Sequence, residues 1–271
     1  MQYLNFNNSD KIENTKTLDG IRNILDNNLV MKNLNENGYH ITSFFAGNEA
    51  IGNNNLVDEK ICGEKYFSSH NLAKIYPEER LKEKRNEILC TFDQMVKVKD
   101  RISQPIFVYT HFSLPHEPFV LNENGDFQIF DETNLDYYEY KKAYIQQVEF
   151  ANKMTTKVIN EILSDKKRNS VIIIQSDHGE RSGIDWMNPT DKMVRQGLNN
   201  INAIYLPNTN QDLVSEGISN VNYFRIIFNE YFNAEFELLD DKYFWMESSN
   251  PPFKMIEVTE IIRNEDESQN D

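Results

Sequence analysis

Three of the chain's five histidines fall in two short polar clusters, and each cluster directly follows an apolar run. The first candidate is Ser176-Asp177-His178-Gly179-Glu180-Arg181. A carboxylate and a neutral imidazole are good ligands for a divalent cation such as Zn²⁺ or Mn²⁺. Neighbouring residues can share one ion where the backbone leaves the strand direction between them, and Gly179 permits such a turn. The same triplet also suits an ordinary strand-to-loop turn, with Asp177 capping a backbone N–H and His178 on the surface. The second candidate is His111-Phe112-Ser113-Leu114-Pro115-His116-Glu117-Pro118-Phe119. Pro115 and Pro118 stiffen the loop around His116. An imidazole held there could bind an anionic group or protonate a leaving oxygen. A partly buried histidine in a proline-rich turn is the alternative. His40 and His70 have no such setting and are read as structural.

The elements that must position these clusters follow from hydrophobic period. Ile21, Ile24, Leu25, Leu29, Val30 and Leu34 recur at helical spacing over 19–36, and Gly38 stops that helix. Residues 39–45 read as a strand, and 46–77 as a long surface excursion. A charged helix is expected from Pro77 to about Val98, with acid at its start as the helix dipole favours. The run 106–110 fits a buried parallel strand. Tyr140, Tyr144, Val148, Ala151, Val158 and Ile162 mark one face of a helix over 137–164. Val171-Ile172-Ile173-Ile174 is the most apolar short run and reads as a central strand. Residues 183–199 read as irregular and 201–206 as a strand, with a further helix starting near Asn220 or Asn222.

Strands alternating with helices, and apolar rather than alternating within themselves, predict an α/β fold: a mostly parallel sheet flanked by helices on both faces. In open sheets of this kind, ligands bind beyond the carboxyl ends of the strands, where both clusters lie. The expected organisation is a polar lead-in over 1–18, one domain over 19–262 and a polar tail over 263–271.

Composition narrows the partners. The chain has 271 residues, with 28 Lys+Arg against 43 Asp+Glu, a formal net charge of −15. That balance argues against nucleic acid, whose phosphates demand a basic face, and against a polybasic membrane-surface binder. The 17 Phe and 13 Tyr exclude a wholly disordered chain. No apolar run approaches the ~20 residues of a membrane span, and the start of the chain does not read as a signal peptide. Cys62 and Cys90 are expected to be two small core residues, one bridge remaining open.

Taken together and in order, the two clusters resemble the sulfatase-like branch of the alkaline phosphatase superfamily. The resemblance runs from Phe107-Val108-Tyr109-Thr110-His111 through Pro115-His116-Glu117-Pro118-Phe119 and the helix over 140–163. It continues through Ile172-Ile173-Ile174-Gln175-Ser176-Asp177-His178-Gly179-Glu180 and the strand before Pro207. Ser219-Asn220-Val221-Asn222-Tyr223-Phe224-Arg225 and Leu238-Leu239-Asp240-Asp241-Lys242 extend it. It covers roughly residues 19–260 and is closest to sulfatase-like domains of bacterial and archaeal membrane proteins.

The resemblance implies a metal-dependent hydrolase or transferase acting on an anionic sulfate or phosphate ester. It implies Asp177 and His178 as metal ligands (for Mn, Zn, Ca or Mg) and His116 as a contact to the substrate's anionic group. His111 and Arg181 follow as weaker secondary groups around the anion. It further implies an extracytoplasmic domain of a membrane-anchored parent. The family's earlier strand, ending in an acidic ligand, and its nucleophilic Thr, Ser or Cys find no counterpart in residues 1–18. The expectation is therefore a fragment lacking the nucleophile and the N-terminal strand of the fold, poorly active in isolation. The alternative is a non-catalytic sulfatase-like domain serving as a binding module. A hydrolase using a local hydroxyl, Thr110 or Ser113, ranks third, because neither has an activating base or a strained strand-to-helix turn.

Overall fold

A parallel strand covered on both faces is buried along its length rather than at alternate residues. In the computed structural model, which describes residues 27–46, 54–63, 78–130, 136–180, 183–209, 213–215, 217–246 and 255–264, β1 (His40–Ala46) has this character. Ile41, Thr42, Ser43 and Phe44 are all buried in succession. β1 lies between β2 (Glu59–Ile61) and β3 (Ile106–Phe112), both parallel to it, with Thr42 opposite Glu59 on one side and Val108 on the other. The parallel sheet and its helices give the expected α/β class. Packing divides the chain into two compact units, Met31–Arg168 and Asn169–Asp271 with Met1–Val30. Among the described residues no helix is long and apolar enough to cross a membrane.

Helix α1 (Leu29–Glu36) ends as the sequence predicts. Gly38 takes φ +77°, and Gly38 N and Tyr39 N donate to Asn35 O and Leu34 O, which satisfies the last carbonyls of the helix. The first eight residues of the expected helix over 19–36 lie outside the described residues. In the first unit, α2 (Glu78–Met95) is followed by a short α3 (Val98–Arg101), and α4 spans Tyr137–Ser164 as predicted. Leu81, Ile88 and Phe92 of α2 meet Phe150 and Val158 of α4 in one core, with Val120 and Leu121 from the intervening loop. Phe92 stacks on Phe112 at 4.3 Å and meets Phe150 edge-on at 6.0 Å. The buried face of α4 runs through Ala143, Gln147, Phe150 and Val158, offset from the aromatic stripe that its sequence suggests.

The cysteines correct the sequence reading. Cys62, just past β2, and Cys90 of α2 are joined by a disulfide, their Cα atoms 5.6 Å apart across a sequence separation of 28. A parallel strand and its crossover helix are brought side by side by the fold, and spacing along the chain carries no sign of that.

In the second unit β4 (Ile172–Gln175) pairs antiparallel with β5 (Asn202–Tyr205), Ile173 opposite Ile204. All four β4 residues are half-buried, and among the described residues β5 is its ladder partner. The stretch read as irregular over 183–199 contains a helix, α5 (Asp191–Leu198), whose N-cap Thr190 accepts from Met193 N. A 3₁₀ turn (Asn220–Asn222) opens α6 (Tyr223–Phe232), and β6 (Phe244–Met246) pairs antiparallel with β7 (Met255–Glu257) before α7 (Thr259–Arg263). Two asparagines hold the extended segment after α6. Asn222 pairs with both backbone groups of Leu239, and Asn229 with both of Phe236.

Two stability predictions follow from these contacts. The disulfide closes a loop of 28 residues, a constraint of about 3–4 kcal/mol on the unfolded chain. Reduction, or Cys90→Ser, should therefore lower the unfolding free energy from urea titration by that amount and the midpoint with it; an unchanged midpoint would show that the bond constrains nothing. Tyr223 is buried, and burial, then neighbouring Tyr243 and Asp241, push its phenol from 10.0 up to about 12. A phenol that ionises more readily unfolded than folded gives its full stabilisation below pH 10. That contribution is lost as the pH rises to about 12, on the order of 2–3 kcal/mol. Urea titrations across this window should show the loss, and Tyr223→Phe should reduce the pH slope, leaving the part due to the other raised phenols, Tyr39, Tyr231 and Tyr243.

Candidate functional site

The Asp177-His178 pair is held between two backbone pins. Upstream, Ser176 N donates to Ile201 O (2.9 Å), Ser176 Oγ accepts from Ile201 N (2.8 Å), and Asn200 Nδ2 donates to Ser176 O (3.1 Å). These bonds prolong the β4–β5 ladder by one residue. Downstream, Gly179 N donates to Gly197 O at 2.8 Å, near the end of α5. Gly179 serves by its lack of a side chain, and not by an unusual backbone angle: a β-carbon there would lie 2.1 Å from Gln196 O and 2.8 Å from Asn199 O. Glu180 is engaged by Gln196 Nε2.

Behind this loop the packing is aromatic. A β-carbon at Gly197 would lie 3.0 Å from the Trp245 ring. Trp245 is buried, stacks on Trp186 at 4.8 Å and 15°, and donates its indole N–H to Trp186 O. The cluster is completed by Val194 and Val258, with Ile184 and Leu198 packed against it.

His178 Nδ1 lies 2.7 Å from Gly179 O. A carbonyl can only accept, so Nδ1 carries a hydrogen, and in the neutral ring it is Nε2 that has the lone pair. Nε2 is 3.6 Å from Asp177 Oδ2, and the Asp177 side chain is 74% exposed against 27% for His178. Two ligands each about 2.0–2.2 Å from an ion at tetrahedral angles are separated by about 3.4 Å. The lone-pair atoms of Asp177 and His178 thus fit as two of a divalent ion's ligands. Among the described residues no group of three or more His, Cys, Asp and Glu side chains gathers around an ion position. Arg181 lies outside the described residues.

The histidines of the first cluster are differently placed. β3 runs to Phe112, so His111 is a strand residue opposite Phe45, and not part of the loop. His116 sits in the loop that follows, where the Leu114–Pro115 and Glu117–Pro118 bonds are both cis. Its Nδ1 is 2.7 Å from Glu117 O and 3.6 Å from Glu117 Oε2. Tyr140 OH, at the start of α4, donates to that carboxylate at 3.3 Å. Two buried polar side chains from beneath, Gln147 of α4 and Lys84 of α2, donate to the loop's carbonyls. Sequence reasoning passed over both; the available signal was a glutamine at the spacing of Ala143 and Phe150. His40, at the start of β1, has Nδ1 3.9 Å from Asp58 Oδ2, which also accepts from Ile41 N. His70 lies outside the described residues. The Thr110 hydroxyl donates to Met95 Sδ at 3.5 Å, and both cysteine sulfurs are in the disulfide.

His111 and His116 belong to the first unit, Asp177 and His178 to the second. The structure therefore brings together Asp177 with His178, and His116 with Glu117 and Tyr140. In comparisons with known proteins, the family model described as Sulfatase matches residues 1–230. No curated protein and no solved structure matches the chain.

The steric role of Gly179 is open to a direct test. Gly179→Ala must push the Asp177-His178 loop off the end of α5, at a cost of about 1–3 kcal/mol, by analogy with overpacked cores. Thermal unfolding should register it; wild-type stability in this variant would mean that the approach is not tight.

Proposed function

Because the chain belongs to the sulfatase family, we propose that it acts in a metal-dependent hydrolase or transferase of sulfate or phosphate esters, with 19–262 as one domain. Asp177 and His178 hold the divalent ion, and His116 meets the substrate's anionic group. His111 and Arg181 are secondary groups around that anion. The observation that carries this reading is the Asp177–His178 pair, two lone-pair atoms 3.6 Å apart at the end of β4.

When bound, the ion supplies positive charge against the oxygens of the ester. The chain's own residues do the rest. The Gly179 carbonyl keeps the His178 hydrogen on Nδ1, so that Nε2 stays a ligand without rearrangement. Asp177, largely exposed, brings a negative charge that attracts the cation. His116, half-exposed at its loop, donates to an anionic oxygen of the ester from Nε2 when its ring is protonated on both nitrogens, while Nδ1–H remains tied to Glu117 O. Thr110 and the two cysteines are engaged elsewhere, and the attacking group is assigned to a part of the complete protein outside the described residues.

The test separates metal binding from turnover. In the complete protein, Asp177→Asn and His178→Gln should each weaken Mn²⁺ or Zn²⁺ binding in calorimetry at least 100-fold, and abolish turnover of aryl phosphate and aryl sulfate esters. His116→Ala should leave metal affinity intact and reduce turnover. Full activity in Asp177→Asn would overturn the assignment. Metal binding without turnover of either ester would favour a binding module on the same fold.

A further inference from the structure

We infer that Gln147 is a positioning residue for His116, fixing its tautomer by holding the loop that carries it. The inference rests on the reading of His116 as the contact to the substrate's anionic group.

Gln147 is 0% exposed, and a buried amide is stable only when its groups are satisfied. Oε1 accepts from Val120 N at 3.0 Å, and Nε2 lies 3.1 Å from Pro115 O and 3.4 Å from His116 O. Those partners lie on both sides of His116. Pro115 and Pro118 have no N–H to give to the loop's own carbonyls. Three of its carbonyls accept from donors below: Gln147 for Pro115 and His116, and Lys84 Nζ for Pro118 at 3.4 Å. Lys84 is itself buried.

With the backbone held there, the Glu117 carbonyl is the group that meets the imidazole, 2.7 Å from Nδ1. Nδ1 must then carry the hydrogen, although free histidine favours the Nε2–H form. Tyr140, two helical turns from Gln147 on α4, secures the other side through the Glu117 carboxylate and an edge-on contact with Phe119 at 5.0 Å. Nε2 is left as the atom that His116 offers to an incoming group. One helix thus both builds the core and sets which imidazole nitrogen is presented.

Long-range ¹H–¹⁵N correlation spectroscopy of the full chain, above the titration range of its histidines, reads the tautomer directly. Wild type should show the Nδ1–H form of His116 alone. Gln147→Met keeps the length and loses every bond, while Gln147→Glu keeps the acceptor for Val120 N and loses the donors. Both should let the Nε2–H form rise to half or more of the population. Val158→Ala, which opens a cavity in the same core without touching the loop, should retain the wild-type pattern. An unchanged Nδ1–H form in both Gln147 variants, or its loss in Val158→Ala, would overturn the inference. The measurement needs no substrate, so adding inorganic phosphate or sulfate to parallel samples acidified until the ring is protonated, where Nε2 can donate to an oxyanion, tests the reading beneath it. Indifference of the His116 signals to both anions, with the tautomer lock lost in the Gln147 variants, would uphold the positioning role and overturn the anion contact.

Discussion

The candidate ligand pair depends on the absence of one atom. With carbonyls at 2.1 and 2.8 Å from where a β-carbon would stand, residue 179 can approach α5 only as glycine, and only then can its N–H reach Gly197 O. The two residues before it are thereby suspended between that bond and the Ser176–Ile201 bonds. They have little freedom except in their side chains. Gly197 repeats the arrangement on its other side, where it lets the Trp245 ring come close. The glycine in the last turn of a short helix, unfavourable by propensity, is explained by what packs on it.

Both candidate histidines use the same local device. Each donates Nδ1–H to the carbonyl of the next residue, at 2.7 Å in both cases, and each thereby presents Nε2. What differs is the support. The His178 loop is fixed by backbone bonds to β5 and α5, the His116 loop by side chains rising from α2 and α4. Backbone support tolerates change in neighbouring side chains but not at Gly179; side-chain support makes distant helix positions matter to one imidazole.

The parts of the fold visible in the sequence are those with strong period or strong punctuation. α4 has 28 residues of consistent amphipathic pattern and was bounded correctly; Gly38 marked the end of α1; β3 opens on the apolar run Ile106-Phe107-Val108-Tyr109. α5 was missed because it is eight residues long with Gly197 among them, and its face is marked by just three apolar residues, Met193, Val194 and Leu198, amid polar ones. The disulfide was missed because only the fold brings Cys62 and Cys90 together. At the candidate sites, residue types pointed to Asp177, His178 and His116. Gln147 stayed hidden because a polar residue on an apolar face reads as noise until its three partners are known. Gly179 was noticed, but as a permissive turn, where close packing is the actual reason.

The aromatic stack behind the Asp177-His178 loop has a practical consequence. The chain contains two tryptophans, and both are in it. All of the intrinsic indole emission therefore arises from one place, a ring pair leaning on the same Gly197 whose carbonyl pins Gly179. Fluorescence of the unlabelled protein is accordingly not an average over the molecule: it is a local gauge of the ground on which the ligand loop stands.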